Sequence, residues 1–303
     1  GKWPTAGNAL TRAYWFARTT TPNVHYSDIT TLGNTTDWGY SMRDDRANYN
    51  CGTTSSATRA VQSGYEANAS QARSSNIEQM ELASAGAGTN FGDLSVSSSQ
   101  SSFGCGNGTR GLLTQGFNNS YAYTTAIDYV TIASAGDGTD YGDLTVGRGS
   151  GSGSFNSTTR GGFVGGNTNG VAFTNTIDYV TIASTGNATD FGDTTVAKYY
   201  ASGLSSSTRG VIGGGRVSGN ALTNVIEYIT IASTGNATDF GDTLAALNGA
   251  AGCSNSTRAI IASGDISGSA QQNVIQYFTI ASTGNATDFG DLTGGGRYGA
   301  AGC

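Results

Sequence analysis

A stretch of about fifty residues recurs six times along this 303-residue chain, and no other feature limits the fold as much. Three copies read TIASTGNATDFGD, beginning at Thr181, Thr230 and Thr279. Looser copies begin at Thr131 (TIASAGDGTDYGD), Glu81 (ELASAGAGTNFGD) and Asp28 (DITTLGNTTDWGY). A second marker, Thr-Arg ahead of a small or apolar strand, keeps the same beat through Arg12, Arg59, Arg110, Arg160, Arg209 and Arg258. Repeats of this length, made of strand and turn residues, predict propeller blades rather than helical solenoids. The expected fold is all-β: a six-bladed propeller occupying residues 1–303 as one domain.

Residues 193–242 serve as a specimen blade. Asp193–Ala201 (DTTVAKYYA) reads as a first strand and Ser202–Ser207 as a turn of small polar residues. Thr208–Gly213 reads as a short buried strand, followed by a loop holding Gly219 and Asn220. Asn224–Ala232 (NVIEYITIA) alternates apolar and polar residues, the clearest strand pattern of the repeat. Ser233–Thr238 is a turn, and Asp239–Asp242 carries an aromatic into the last strand. The chain ends support a ring. Residues 291–303 (DLTGGGRYGAAGC) match a first strand alone, and Thr11–Arg18 begins the complementary partial blade. Pairing the two completes the sixth blade and removes an open sheet edge.

Composition narrows the partners. With 12% charged residues, a formal net charge of −6 and only Lys2 and Lys198 as lysines, there is no basic stripe for nucleic acid. The same electrostatics disfavours anionic membranes. No apolar run approaches the roughly 20 residues of a membrane helix. The four cysteines, Cys51, Cys105, Cys253 and Cys303, form no CxxC pair, and small buried thiols are the favoured reading.

The repeat arginines admit two readings: a ring of guanidinium groups for an anion, or pairs with the repeat carboxylates Asp93, Asp143, Asp193, Asp242 and Asp291. Guanidinium suits bidentate pairing with carboxylate, so structural ion pairs between neighbouring blades are expected. The D-x-G-D turn invites calcium. The few oxygen ligands it gathers favour a self-capped turn instead, so no cofactor or metal is expected. The residue ahead of the tyrosine position is Glu78, Asp128, Asp178 and Glu227, but His25 in the first repeat and Gln276 in the last. His25 is the only histidine, which argues against a Ser-His-Asp triad and His-rich metal sites. An inter-blade or surface place is expected for it.

The first repeats diverge most. Tyr14, Trp15, Arg18, Trp38, Arg43, Arg46 and Tyr49 form the candidate binding set, because aromatic and Arg residues dominate interface hot spots. The competing reading makes Tyr14 and Phe16 core and sets Trp15 over a seam. Nine N-x-S/T sequons occur, at Asn34, Asn68, Asn107, Asn118, Asn156, Asn187, Asn236, Asn255 and Asn285, several of them manufactured by the repetition itself.

Two resemblances follow from these strings. Gly213–Gly215 ending an apolar strand, Tyr228 downstream, and Phe240 where tryptophan is usual resemble the kelch repeat, which implies a propeller used as a binding platform. The phrasing IDYVTIASTGNATDFGD is similar to repeat proteins of marine phages, particularly those infecting cyanobacteria. That resemblance implies a non-enzymatic virion protein for structure or host attachment, on capsid or tail. Its partners would be other virion proteins in a symmetric assembly, and host-surface glycan. The alternatives are an extracellular glycan-binding protein or adhesin, and a glycosidase-type propeller using Asp44 and Asp45.

Overall fold

The computed structural model describes residues 12–16, 23–41, 46–47, 52–63, 66–67, 72–84, 86–96, 103–118, 120, 122–151, 153–168, 172–267, 270–293, 295–296 and 301–302. Six four-stranded antiparallel sheets stand around one axis, giving a six-bladed β-propeller. The innermost strands are Ala301–Gly302, Gly52–Ser55, Gly104–Gly106, Ser154–Asn156, Ser202–Ser205 and Ala251–Ser254, in blades 1 to 6, and each neighbours the next around a closed circle. Each second strand begins at the repeat arginine, as in Arg209–Gly213, and pairs with a third strand such as Val225–Thr230. The outer strands, such as Thr238–Asp242, carry the DFGD string.

The ring closes as expected: Trp15 and Phe16 of Arg12–Phe16 pair with Gly302 and Ala301. The extent of the closing strand differs from the expectation of one strand over 291–303. Asp291 ends the outer strand of blade 6, Thr287–Asp291, and among the described residues of the tail Ala301–Gly302 pairs with blade 1.

The specimen blade is corrected in the same way. Residues after Asp193 form a crossover on the way to the next blade, and the innermost strand is Ser202–Ser205, which composition marks as a turn. The reason is crowding at the axis. A Cβ on Gly203 would stand 2.4 Å from the Ser154 backbone nitrogen and oxygen of the preceding blade. Only small residues fit where the inner strands converge, so the strand reads like a loop. Serine hydroxyls stitch these strands together: Ser205 Oγ accepts from Asn156 N–H, and Ser254 Oγ accepts from Ser205 N–H.

The core is divided among the seams. Phe155, Ile177 and Phe191 of blade 4 pack on Ile229, Ile231 and Ala237 of blade 5. Burying each large apolar side chain contributes about 1.5–3 kcal/mol, so every blade depends on its neighbours. Both faces of an inner blade are covered, and the two ends of the strands remain for loops. One end carries the turns after the first and third strands. The other carries the loops after the second strand and the crossovers between blades.

Candidate functional site

At the first of these ends, the turn corresponding to TGNAT in blades 1 and 3 to 6 hooks onto the outer strand of the blade before it. Gly235 N–H donates to Phe191 O and Ala237 N–H donates to Asp193 O, both at 2.7 Å. Asn236 Oδ1 accepts the Asp193 N–H at 3.0 Å. The same side-chain bond joins Asn187 to Asp143, Asn285 to Asp242, Asn34 to Asp291 and, with a carboxylate, Asp137 to Asp93. The exposed backbone edge of each outer strand is thereby covered. The DFGD glycine is required for the approach: Gly241 has φ 147°, and a Cβ there would meet Gly284 O at 2.5 Å. In blade 2 the acceptor position is Ala87, so the seam between blades 1 and 2 has no side-chain acceptor there.

The N-x-S/T strings follow from these turns. Asn107 Oδ1 accepts from Thr109 and Arg110 N–H, and Asn255 does the same for Thr257 and Arg258. Ser56, Ser157 and Ser206 cap the other blades through Oγ. Asp190 Oδ1 accepts Gly192 N–H within its own turn. The Asp190 carboxylate and the turn asparagines are thus engaged in bracing turns and seams.

The repeat arginines do bridge blades, but their partners differ from the expected carboxylates. Five of the six guanidinium groups donate through Nη1 to the carbonyl that follows the third strand of the next blade. The pairs are Arg59 to Ile132, Arg110 to Ile182, Arg160 to Ile231, Arg209 to Ile280 and Arg258 to Ile29, all at 2.8–3.1 Å. Arg110, Arg160, Arg209 and Arg258 also lie 4.3–4.7 Å over Tyr129, Tyr179, Tyr228 and Tyr277. Each tyrosine meets the outer-strand aromatic edge-on, as Tyr228 does Phe240 at 6.0 Å. A neutral carbonyl and a ring face satisfy the cation without a second charge.

Among the described residues the one ion pair of a repeat arginine is Arg59–Glu81, at 2.8 Å. Blade 2 has Gln79 where the others have tyrosine, and Glu81 supplies a different partner. Asp93 and Asp143 instead accept hydroxyls of Ser75 and Thr125. Asp193, Asp242 and Asp291 offer backbone groups to the next blade's turn. The predicted arginine–aspartate network is therefore replaced by an arginine–carbonyl–tyrosine one.

The acidic third-strand position receives the crossover arriving from the preceding blade. Asp128 accepts Ser95 N–H, Asp178 accepts Thr145 N–H, and Glu227 accepts Thr195 N–H. Gln276 accepts Leu244 N–H through its amide oxygen. His25 Nδ1 lies 3.1 Å from Thr293 Oγ1, which places the single histidine between blades 6 and 1. Two carboxylates gain a fully buried cation: Arg148 Nη2 stands 2.8 Å from Asp178, and Lys198 pairs with Glu227. Burial holds the Arg148 guanidinium below its ordinary pKa, with Asp178 opposing. Leu247 occupies the cation position facing the neutral Gln276, so charge is removed from both sides together.

Of the proposed binding set of the first repeats, Tyr14 and Trp38 have described side chains, and both are packed at the seam between blades 1 and 2. Tyr14 is core, 2% exposed, with its hydroxyl donating to Leu82 O of blade 2 at 2.8 Å. Trp38 is half-buried against Tyr14 and Tyr26, and Arg12 lies 5.2 Å over its ring. The backbone of Trp15 pairs with His25 and Gly302, and Arg46 begins a two-residue strand paired with Ala67. Arg18, Arg43 and Tyr49 lie outside the described residues, as do Asp44, Asp45, Cys51 and Cys303. Cys105 and Cys253 are buried, and the Cys253 thiol donates to Tyr14 O at 3.7 Å.

At the opposite end the copying stops. The loops after the second strand share one frame but read GFNNSYAYTTA, GNTNGVAFTNT, GRVSGNALTNV and GDISGSAQQNV in blades 3 to 6. Each crossover adds a bridge to these loops: Gly149 with Asn167, Tyr199 with Arg216, and Asn248 with Asp265. In blades 3 to 6 the resulting rim carries different side chains over a shared backbone frame.

One feature of the rim is a cleft of about 460 Å³ between blades 4 and 5, lined by Asn167, Phe173, Tyr199, Ser218 and Asn220, among others. That lies within the roughly 300–1,000 Å³ of small-molecule sites. Phe173 and Tyr199 stack with centroids 4.4 Å apart at 31°, and Tyr200 continues the row 4.7 Å beyond Tyr199. Tyr199 Oη donates to Asn220 Oδ1 at 2.9 Å. Burial raises the Tyr199 phenol pKa against the opposing pull of Arg216, so the hydroxyl keeps its proton. Arg216 Nε donates to Asn248 Oδ1, and burial lifts the Asp265 carboxyl pKa against the same cation. Tyr200 holds φ 56° where the neighbouring blades have Ser150 and Gly249. A bulky residue is rarely held in that region, and such positions cluster at functional sites.

Sequence reading missed this cleft because Tyr199 and Tyr200 fell inside an expected strand, where adjacent side chains face opposite ways. The signal present was the break in the repeat, Tyr-Tyr where the copies have Gly-Ser and Asn-Gly. The fold is that of a six-bladed antiparallel β-propeller with one copied end and one varied end. No protein-family model and no curated protein matches the chain.

Proposed function

We propose that this protein is a non-enzymatic recognition module, a virion component that holds its varied rim toward a host surface. The observation that carries the reading is the contrast between the two ends. One end repeats nearly the same bonds at seam after seam, and the other presents a new set of side chains on each blade over a constant frame. Rigid scaffolds that vary only their loops are built for binding. The buried carboxylates Asp178 and Glu227 each hold a cation and a crossover amide, which is an architectural task. The phage setting, with other virion proteins as partners in a symmetric assembly, rests on the resemblance of the repeat phrasing to marine phage proteins. The kelch-like marks agree with a binding platform.

Cryo-electron microscopy of the native particle tests the proposal. Propeller density at a repeated position on capsid or tail, with the varied rim outward, is the expected result. The chain found instead in a cell-surface filament, or free in the medium, would overturn the virion setting in favour of an extracellular adhesin.

A further inference from the structure

We infer that the cleft between blades 4 and 5 is a binding site for an uncharged sugar, one pyranose ring wide at its aromatic wall. The inference rests on the recognition reading above and names the ligand class and the residues. A pyranose presents two chemistries at once: a face of C–H bonds and a rim of hydroxyls. The cleft offers a counterpart to both. Phe173 and Tyr199 both line the cleft as a stacked aromatic pair, 4.4 Å apart with planes 31° from parallel, and the stack gives the cleft an apolar aromatic border against which a C–H face can rest. Asn167, Ser218 and Asn220 provide amide and hydroxyl groups at its margin. Groups of this kind in small number fix a ligand's orientation.

The charge balance selects among sugars. None of the eight residues lining the cleft is ionisable to a charged form at neutral pH. Arg216, whose field reaches Tyr199, is bonded to Asn248 and sits in the field of Asp265, and Lys198 is buried against Glu227. An acidic sugar would leave its carboxylate without a counter-ion, and an amino sugar would leave its ammonium likewise. Neutral hexoses meet no such penalty.

The wall is also pre-arranged. Asn220 sits at φ 60° in a tight turn after Gly219, closed by Val217 N–H donating to Ala221 O. That turn presents the amide to Tyr199, whose hydroxyl occupies Oδ1 and leaves the Nδ2 hydrogens for a ligand hydroxyl. The Tyr199 backbone bridges Arg216, and Tyr200 N–H donates to Ser150 O. Little conformational freedom is left to lose on binding.

The test is a glycan array with glucose-, galactose- and mannose-terminated neutral oligosaccharides beside sialylated, uronic-acid and amino-sugar ones, followed by calorimetry on any hit. The wild type, Tyr199→Ala and Asn220→Gly are compared, together with adsorption of the labelled protein to host cells. Glycine adopts the φ of Asn220 without strain, so the second variant removes the amide while keeping the fold. The expected result is binding of neutral glycans only, weakened about tenfold or more by each variant. Neutral-glycan binding unchanged in both variants overturns the site. Binding of charged glycans alone overturns the ligand class. Adsorption to cells with no glycan bound overturns the sugar but leaves the recognition reading standing. Neither adsorption nor glycan binding overturns both.

Discussion

Asn236 Oδ1 accepts the backbone N–H of Asp193 across the seam between blades 4 and 5, at 3.0 Å, in a bond repeated by Asn187, Asn285 and Asn34 at other seams. A net hydrogen bond of this kind contributes about 0.5–1.5 kcal/mol. Asn236→Ala is therefore expected to lower unfolding free energy by about 1 kcal/mol. Asn187→Ala and Asn285→Ala should add to it, because distant sites act independently. Gly241→Ala is expected to cost more, above about 2 kcal/mol, because its Cβ meets a carbonyl rather than a movable side chain. Urea denaturation of the four variants checks both the ranking and the sum.

Arg209 holds the same seam system by a different device, the Ile280 carbonyl on one side and the Tyr228 ring on the other. Lysine keeps the charge but neither the planar fork nor the stack. Arg209→Lys is expected to destabilise by about 1 kcal/mol. A double-mutant cycle with Tyr228→Leu should return a coupling of about 0.5–1 kcal/mol, and zero coupling would remove the stacking contribution.

The buried Lys198–Glu227 pair has a natural comparison one blade on, where Leu247 faces Gln276. Removing one charge of a buried pair strands the other, at a cost of about 3–5 kcal/mol. Lys198→Leu alone should therefore be severely destabilising. The double variant Lys198→Leu with Glu227→Gln should recover most of the loss, or exceed the wild type, since neutral replacements of buried pairs are often stabilising. Thermal unfolding of the singles and the double decides the matter.

Tyr141 stands where blades 4 to 6 have phenylalanine, and its hydroxyl lies 2.5 Å from Thr181 O and 2.6 Å from Ser184 O of the next blade. Burial, aided by Cys105 and opposed by Arg110, pushes its pKa up from 10.0 to about 12. The folded state therefore holds this proton more tightly than the unfolded chain does. Its contribution is complete below pH 10 and is lost as pH rises towards about 12. Stability measured across that window should fall less steeply in Tyr141→Phe than in the wild type.

Blade number, the arginine beat and closure of the ring were legible because they depend on periodicity, which survives any local misreading. The inner strands were not. Ser202–Ser205 is made of residues that elsewhere signal a turn, and only the convergence of backbones at the axis explains them. The arginines were correctly placed between blades but given the wrong acceptor, because a sequence displays carboxylates and hides carbonyls. Asp178 and Glu227 could be flagged as a repeated position, yet their cations, Arg148 and Lys198, come from the preceding crossover. The candidate site moved for a related reason. Divergence in the first repeats drew attention to Tyr14 and Trp38, which seal a seam, while the cleft proposed above is lined by single loops of otherwise faithful repeats.

The clasp of Gly, Asn and Ala on the preceding outer strand is nearly independent of which blade supplies it. A duplicated or exchanged blade would bring with it both halves of the joint, the hook and the edge that receives it. The loops at the other end are joined to the crossovers by backbone bonds, as Tyr199 is to Arg216 and Asn248 to Asp265, which make no demand on the loop side chains. Recombination within the coding repeat can thus reassort the varied loops among blades while keeping the joints of the ring.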